Sequence, residues 1–236
     1  MNIKLNLPIV PGGIFSKFMQ MLPNALPYDV ERIYFNAHDE RIGCNAFNWV
    51  MDQYYDETFI NVECLNNGSY TKPGSDGLGA IEESKDFDKM KLICSKIKFN
   101  IHTGPGCDLG IHVRLTDMNT MHPQYGNHTT KDYIDKILEL KPQSIFIASD
   151  NHKSISDIID SYTGVAAYNP FMIREDADSS RTTAVQRNNL NNKAFWVEAF
   201  TDMFMLSKSA ELLCRVSNLA NASILFSNSI TKIHRL

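Results

Sequence analysis

From residue 109 onward, short apolar runs alternate with segments of helical spacing, and this restricts the possible topologies more than any other feature of the chain. Residues 109–114, 144–149, 164–167 and 211–216 read as strands, rich in Ile, Val, Leu and Phe. Residues 130–140, 154–162 and 194–207 read as helices, as does a last segment from Asn218; residues 169–182 read as a loop. Strands separated by helices of about ten residues imply right-handed crossovers and a parallel sheet.

The first half is less regular. Residues 3–10 alternate apolar and polar and stop at Pro11-Gly12-Gly13, after which 14–22 carry apolar residues at helical spacing. Residues 31–36 and 59–65 read as strands, 46–53 as a short aromatic helix, 66–76 as a loop, 82–94 as a helix and 96–103 as extended. Gly104-Pro105-Gly106 is the sharpest break, which places a small lobe at 1–104 and a second at 105–236. The expected architecture is α/β, with two lobes built on parallel sheets.

Composition narrows the function. With 43% hydrophobic and 21% charged residues the chain reads as an ordinary globular one, and a net charge of -4 lacks the basic surplus of a nucleic-acid binder. No apolar run approaches the ~18 residues of a membrane span, and the N-terminus has no signal-peptide pattern, so a cytoplasmic location is expected. The five cysteines form no CxxC pair and read as reduced thiols. No metal site is expected: Asp176 and Asp178 form an acid-x-acid triplet without a further carboxylate or histidine in support.

Three strand ends in the second half stop on polar groups: Arg114-Leu115-Thr116-Asp117, Ser149-Asp150-Asn151 and Val216-Ser217-Asn218. In a parallel sheet all three lie on one edge, where open α/β folds bind ligands. Arg114 is placed to grip a phosphate in fork geometry, and Ser217-Asn218 to present helix N-terminal amides to an anion. The plain structural readings are an ion pair for Arg114 and a helix cap for Ser217. On spacing alone, Asp202 and Glu198 lie on the solvated face of their helix.

The run Gly110-Ile111-His112-Val113-Arg114-Leu115-Thr116-Asp117 resembles the GxHVRxTD motif of the fucosyltransferase superfamily, with α1,6-fucosyltransferases nearest and protein O-fucosyltransferases and nodulation fucosyltransferases related. Residues 145–151 and 200–214, the latter followed by Ser217-Asn218, resemble two further blocks in the same order, so the resemblance spans about residues 107–226. Pro11-Gly12-Gly13 and the helix after it resemble a glycine turn that faces the donor in related enzymes. The resemblance implies a GT-B-like pair of Rossmann-like lobes, with the N-terminal lobe on the acceptor side and the C-terminal lobe holding the nucleotide sugar. It implies Arg114 on the β-phosphate of GDP-fucose, His112 beside the nucleotide, Asp150 near the guanine or ribose, and Asp202 near the base or the phosphate loop. Ser217 and Asn218 are implied on the phosphates, and Gly12, Gly13 and Asp117 complete the donor set. Leu115 and Met118 stand where the nearest relatives carry an arginine and a lysine, so other GDP- or UDP-linked sugars stay open; Lys17 is a candidate for replacing the missing charge.

The expected activity is inverting transfer of a sugar, fucose first, from a nucleotide diphosphate to a glycan hydroxyl, without metal or other cofactor. Arg114 would stabilise the departing diphosphate. Asp39 or Glu40, with His38 of the same segment also a candidate, would take the acceptor proton, and His122 and Asp117 are rivals in the second half. A binding protein of the same fold without turnover is the alternative, and a small-molecule phosphate-handling enzyme a third.

Overall fold

The computed structural model describes residues 1–7, 14–37, 47, 50–51, 58–64, 79–115, 127–169 and 193–236. In chain order its elements are β1 (Asn2–Leu7), α1 (Ile14–Met21), β2 (Arg32–Ala37), β3 (Ile60–Glu63), α2 (Phe87–Cys94) and β4 (Leu109–Val113). Then follow α3 (Thr130–Leu140), β5 (Ser144–Ser149), α4 (His152–Asp160), β6 (Val165–Tyr168), α5 (Lys193–Ser207), β7 (Glu211–Cys214), α6 (Asn218–Phe226) and β8 (Lys232–Arg235). Short 3-10 turns occupy Leu22–Ala25 and Ile81–Glu83. The helix expected over 82–94 is thus split, with its α-helical part confined to α2. The expected extended segment 96–103 forms no strand, only a bridge from Phe99 to Met51.

The chain divides into two compact units. The first comprises Met1–His102, Asn191–Val197 and Ser217–Phe226; the second comprises Thr103–Leu190, Glu198–Val216 and Ser227–Leu236. A simple division at 104–105 assigns the last helix to the second lobe, whereas α6 packs with α1 and α2 of the first. Its apolar residues explain this. The Phe226 ring lies tilted, 5.5 Å from that of Phe18 on α1, and edge-on, also at 5.5 Å, to Phe99.

The first unit holds a parallel sheet in the order β2-β1-β3. The alternation legible in β1 becomes a two-faced sheet. Ile3, Leu5, Ile33 and Phe35 are fully buried, while Asn6 on the other face accepts from Asn36 Nδ2 at 2.9 Å and donates to Glu63 Oε1 at 3.0 Å.

The second unit holds a five-stranded parallel sheet in the order β6-β5-β4-β7-β8. Its central strands are apolar on both faces, as expected where helices cover both sides. Ile111, Val113, Ile145, Ile147 and Leu213 pack against Tyr133 and Ile137 of α3 and Ile155 and Ile158 of α4. On the other face of β4, Gly110 lets Leu206 and Ser209, at the end of α5, approach the strand. The opposite end of the sheet is latched by Asp108, whose carboxylate accepts the backbone amides of Gln143 and Ser144 at 2.9 and 3.1 Å.

Candidate functional site

Strand order decides where a ligand can sit. The chain runs outward from β4 through β5 to β6, then returns to add β7 and β8 on the other side, so the order reverses between β4 and β7. Connections there leave the sheet in opposite directions and open a crevice beyond the strands' carboxyl ends. The residues closing β4 and β7 are therefore the ones that border this crevice.

β4 ends at Val113, which pairs with Ser149 of β5, and Arg114 follows with its side chain half-buried. Asp150 succeeds Ser149, so it stands level with Arg114 across the neighbouring strand. The turn after β5 is held by its own side chains. Ser149 Oγ accepts the Asn151 amide at 3.1 Å, and Asn151 Oδ1 accepts the Ser154 amide at 2.9 Å as the cap of α4. His112 is buried, opposite Ala148 on one side and Cys214 on the other. It shares the face of Gly110, two residues earlier, and so looks toward α5.

Asp202 corrects the spacing argument. It is 1% exposed, whereas a solvated helix face was expected. The buried residues Ala199, Phe200, Met203 and Leu206 form the stripe, and Asp202 lies one turn from both Ala199 and Leu206, on its flank. A crossover helix runs antiparallel to its strands, and four residues of helix rise by about 6 Å, close to the length of two strand residues. With Leu206 over Gly110, Asp202 comes level with His112. By register and helix rise, four of the expected donor residues, His112, Arg114, Asp150 and Asp202, thus fall toward one edge of the second unit.

Arg215 was missed. It follows Cys214 at the end of β7, is 1% exposed, and is the largest fully buried side chain among the described residues. Register places it opposite Val113, on the face covered by α3. There the buried Tyr133 phenol is pushed above its ordinary range by burial, opposed by the positive charge of Arg215. The Tyr133 hydroxyl has no hydrogen-bond partner among the described residues. A signal was available: Arg215 ends the apolar run Leu212-Leu213-Cys214 just as Arg114 ends its own.

Ser217 and Asn218 begin α6 and belong to the first unit. Ser217 is buried, and its Oγ accepts the Ala220 amide at 3.1 Å, which is the capping bond. Asn221, one turn on, is fully buried and donates from Nδ2 to the Gly79 carbonyl at 2.8 Å. Lys17 on α1 is also buried. Gly12, Gly13, Asp39, Glu40 and Asp117, with the further candidates His38 and His122 and the pair Asp176 and Asp178, lie outside the described residues. Among the described residues no group of three or more His, Cys, Asp or Glu is disposed to hold a metal ion.

The chain is an α/β protein with two parallel sheets, the second doubly wound with polar residues at its strand ends. The comparison with solved structures bears this out. NodZ α-1,6-fucosyltransferase soaked with GDP-fucose, and the same enzyme co-crystallised with GDP, each superpose with a TM-score of 0.54 at 13% identity, over 95% of this chain and 92% of theirs. POFUT1 in complex with GDP aligns at a TM-score of 0.43 and 10% identity, over 99% of this chain and 98% of its own. No family profile and no curated protein matches the sequence. No helix among the described residues is long and apolar enough to cross a membrane.

Proposed function

We propose that this chain is a glycosyltransferase that transfers a sugar from a nucleotide diphosphate to a glycan hydroxyl, with fucose from GDP-fucose as the favoured donor. The observation that carries the reading is the position of Arg114 at the end of β4, which flanks the switch point, with Asp150 following the paired end of β5, in a fold shared with an enzyme solved with GDP-fucose. In this reading the acceptor oxygen attacks the anomeric carbon as the bond to the diphosphate breaks, which inverts the centre. Arg114 neutralises the charge growing on the leaving diphosphate. Asp39 or Glu40 removes the acceptor proton, and no metal takes part.

A thermal-shift panel of GDP, UDP, dTDP and their sugars tests donor binding. GDP and GDP-fucose should raise Tm, and Arg114→Ala should abolish the rise; a panel with no stabilising nucleotide overturns the reading. Release of GDP in the presence of an acceptor glycan distinguishes a transferase from a binding protein. Turnover should survive EDTA, and loss rescued by manganese would refute metal independence. Alanine at Asp39 or Glu40 with unchanged transfer removes that residue as the base.

A further inference from the structure

Two arginines close the strands flanking the switch point. The β4–β7 ladder ends at the His112–Cys214 pair, so Arg215 stands one residue beyond it, opposite Val113, and Arg114 one residue further on the adjacent strand. Arg114 is half-buried at the strand tip, whereas Arg215, on the sheet face of Val113, is 1% exposed. A guanidinium keeps its proton in a protein, so this charge is permanent, and solvent ions screen a buried charge far less than an exposed one.

The backbone that carries it is pinned. Arg235, which closes β8, donates from Nη1 to the Arg215 carbonyl at 3.1 Å and to Cys214 Sγ at 3.2 Å. Among the described residues, the ends of β4, β7 and β8 therefore bring three arginines, 114, 215 and 235, to an edge that also holds the carboxylates of Asp150, after β5, and of Asp202 and Glu198 on α5. A buried cation on a strand end beside the crevice adds a positive contribution to the potential there, and such a potential discriminates ligands by charge.

We propose that Arg215 is a positioning residue for the diphosphate: its buried charge sets the potential at the crevice that Arg114 opens onto, so that affinity grows with each phosphate charge. The inference rests on the nucleotide-sugar reading above. It concerns a residue that touches neither the base nor the sugar.

Calorimetric binding of guanosine, GMP, GDP and inorganic pyrophosphate to the full chain tests it, in wild type, Arg215→Met and Arg215→Lys. Replacing a buried ion by an apolar side chain of similar volume commonly preserves folding, and Arg215→Gln serves the same purpose should the methionine variant fail to fold. The neutral variant should weaken GDP and pyrophosphate by about tenfold or more and GMP by less, and leave guanosine within about twofold, with lysine restoring most of the GDP affinity. An equal loss for guanosine and GDP, or no loss for GDP, overturns the role of Arg215 while leaving the nucleotide reading intact. Wild type that binds pyrophosphate but not GDP overturns the nucleotide reading and leaves Arg215 to be judged on pyrophosphate. Wild type that binds neither overturns both.

Discussion

Replacing Gly110 with alanine adds one methyl group to β4 at the point where the end of α5 comes nearest. That carbon would stand 2.5 Å from Ser209 Oγ, 3.1 Å from Ser209 Cβ and 3.1 Å from Leu206 Cδ2. The hydroxyl can turn away only by giving up its contacts with Cys107 Sγ at 3.3 Å and the Met205 carbonyl at 3.4 Å, and turning it leaves the two carbons where they are. Overpacking of this kind costs about 1–3 kcal/mol, offset by about 0.4–1 kcal/mol from the stiffer unfolded chain. The net expectation is a loss of about 1–2 kcal/mol, or a fall in Tm of about 2–8 °C for a chain of this size. Thermal unfolding of Gly110→Ala, Ser209→Ala and the double variant measures it. Removing the Ser209 hydroxyl should recover part of the loss, giving a favourable coupling of about 0.5–1 kcal/mol. A single variant that melts with wild type, or strictly additive effects, would refute the close approach of α5 to β4. That approach is what brings Asp202 level with His112.

Other variants probe local chemistry. Tyr133→Phe removes a buried hydroxyl that makes no hydrogen bond among the described residues, so it should be neutral or stabilise by up to about 1 kcal/mol in chemical denaturation. Asp132 accepts the Thr129 amide at 2.7 Å, and that bond, ahead of the Thr129 hydroxyl and the charges of His128 and Lys131, holds its carboxyl below the usual range. Its contribution is therefore present above the unfolded value of about 4 and lost as pH falls through the lower native one. Asp132→Ala should cost about 1 kcal/mol at neutral pH and flatten the acid limb of the stability curve. Burial, followed by the neighbouring Glu63 charge, pushes the Cys64 thiol up to about 12, and burial raises Cys94 as well. The unfolded thiols ionise first, near 9, so the native state is the proton-rich one and stability should fall as pH rises from about 9 to 12. Serine in place of Cys64 should shallow that decline.

The sequence was most legible where periodicity and burial agree. β4 and β5 read as strands because both faces are covered and their apolar runs are continuous, and β1 because one face is polar and its residues alternate. β8 went unread because Lys232-Ile233-His234-Arg235 offers one apolar residue in four, and its pairing to β7 supplies what its composition does not. At the site, Arg114 and Asp150 were legible as the polar ends of apolar runs. Arg215 obeys the same rule, yet a cation at a strand end reads as solvated unless burial is known. Asp202 misled for a related reason, since periodicity locates the centre of a buried stripe and says little about how far cover extends beyond its edge.

The passage of α6 back to the first unit has its effect during synthesis. The sheet β2-β1-β3 and the helices α1 and α2 are all translated by Cys94, yet Phe18 and Phe99 wait for Phe226, near the end of the chain, to cover them. The half made first thus waits for a helix made after most of the second unit. A nascent chain halted after β7 would carry an aromatic face open to chaperones, and a peptide spanning 217–226 supplied separately would be its natural complement.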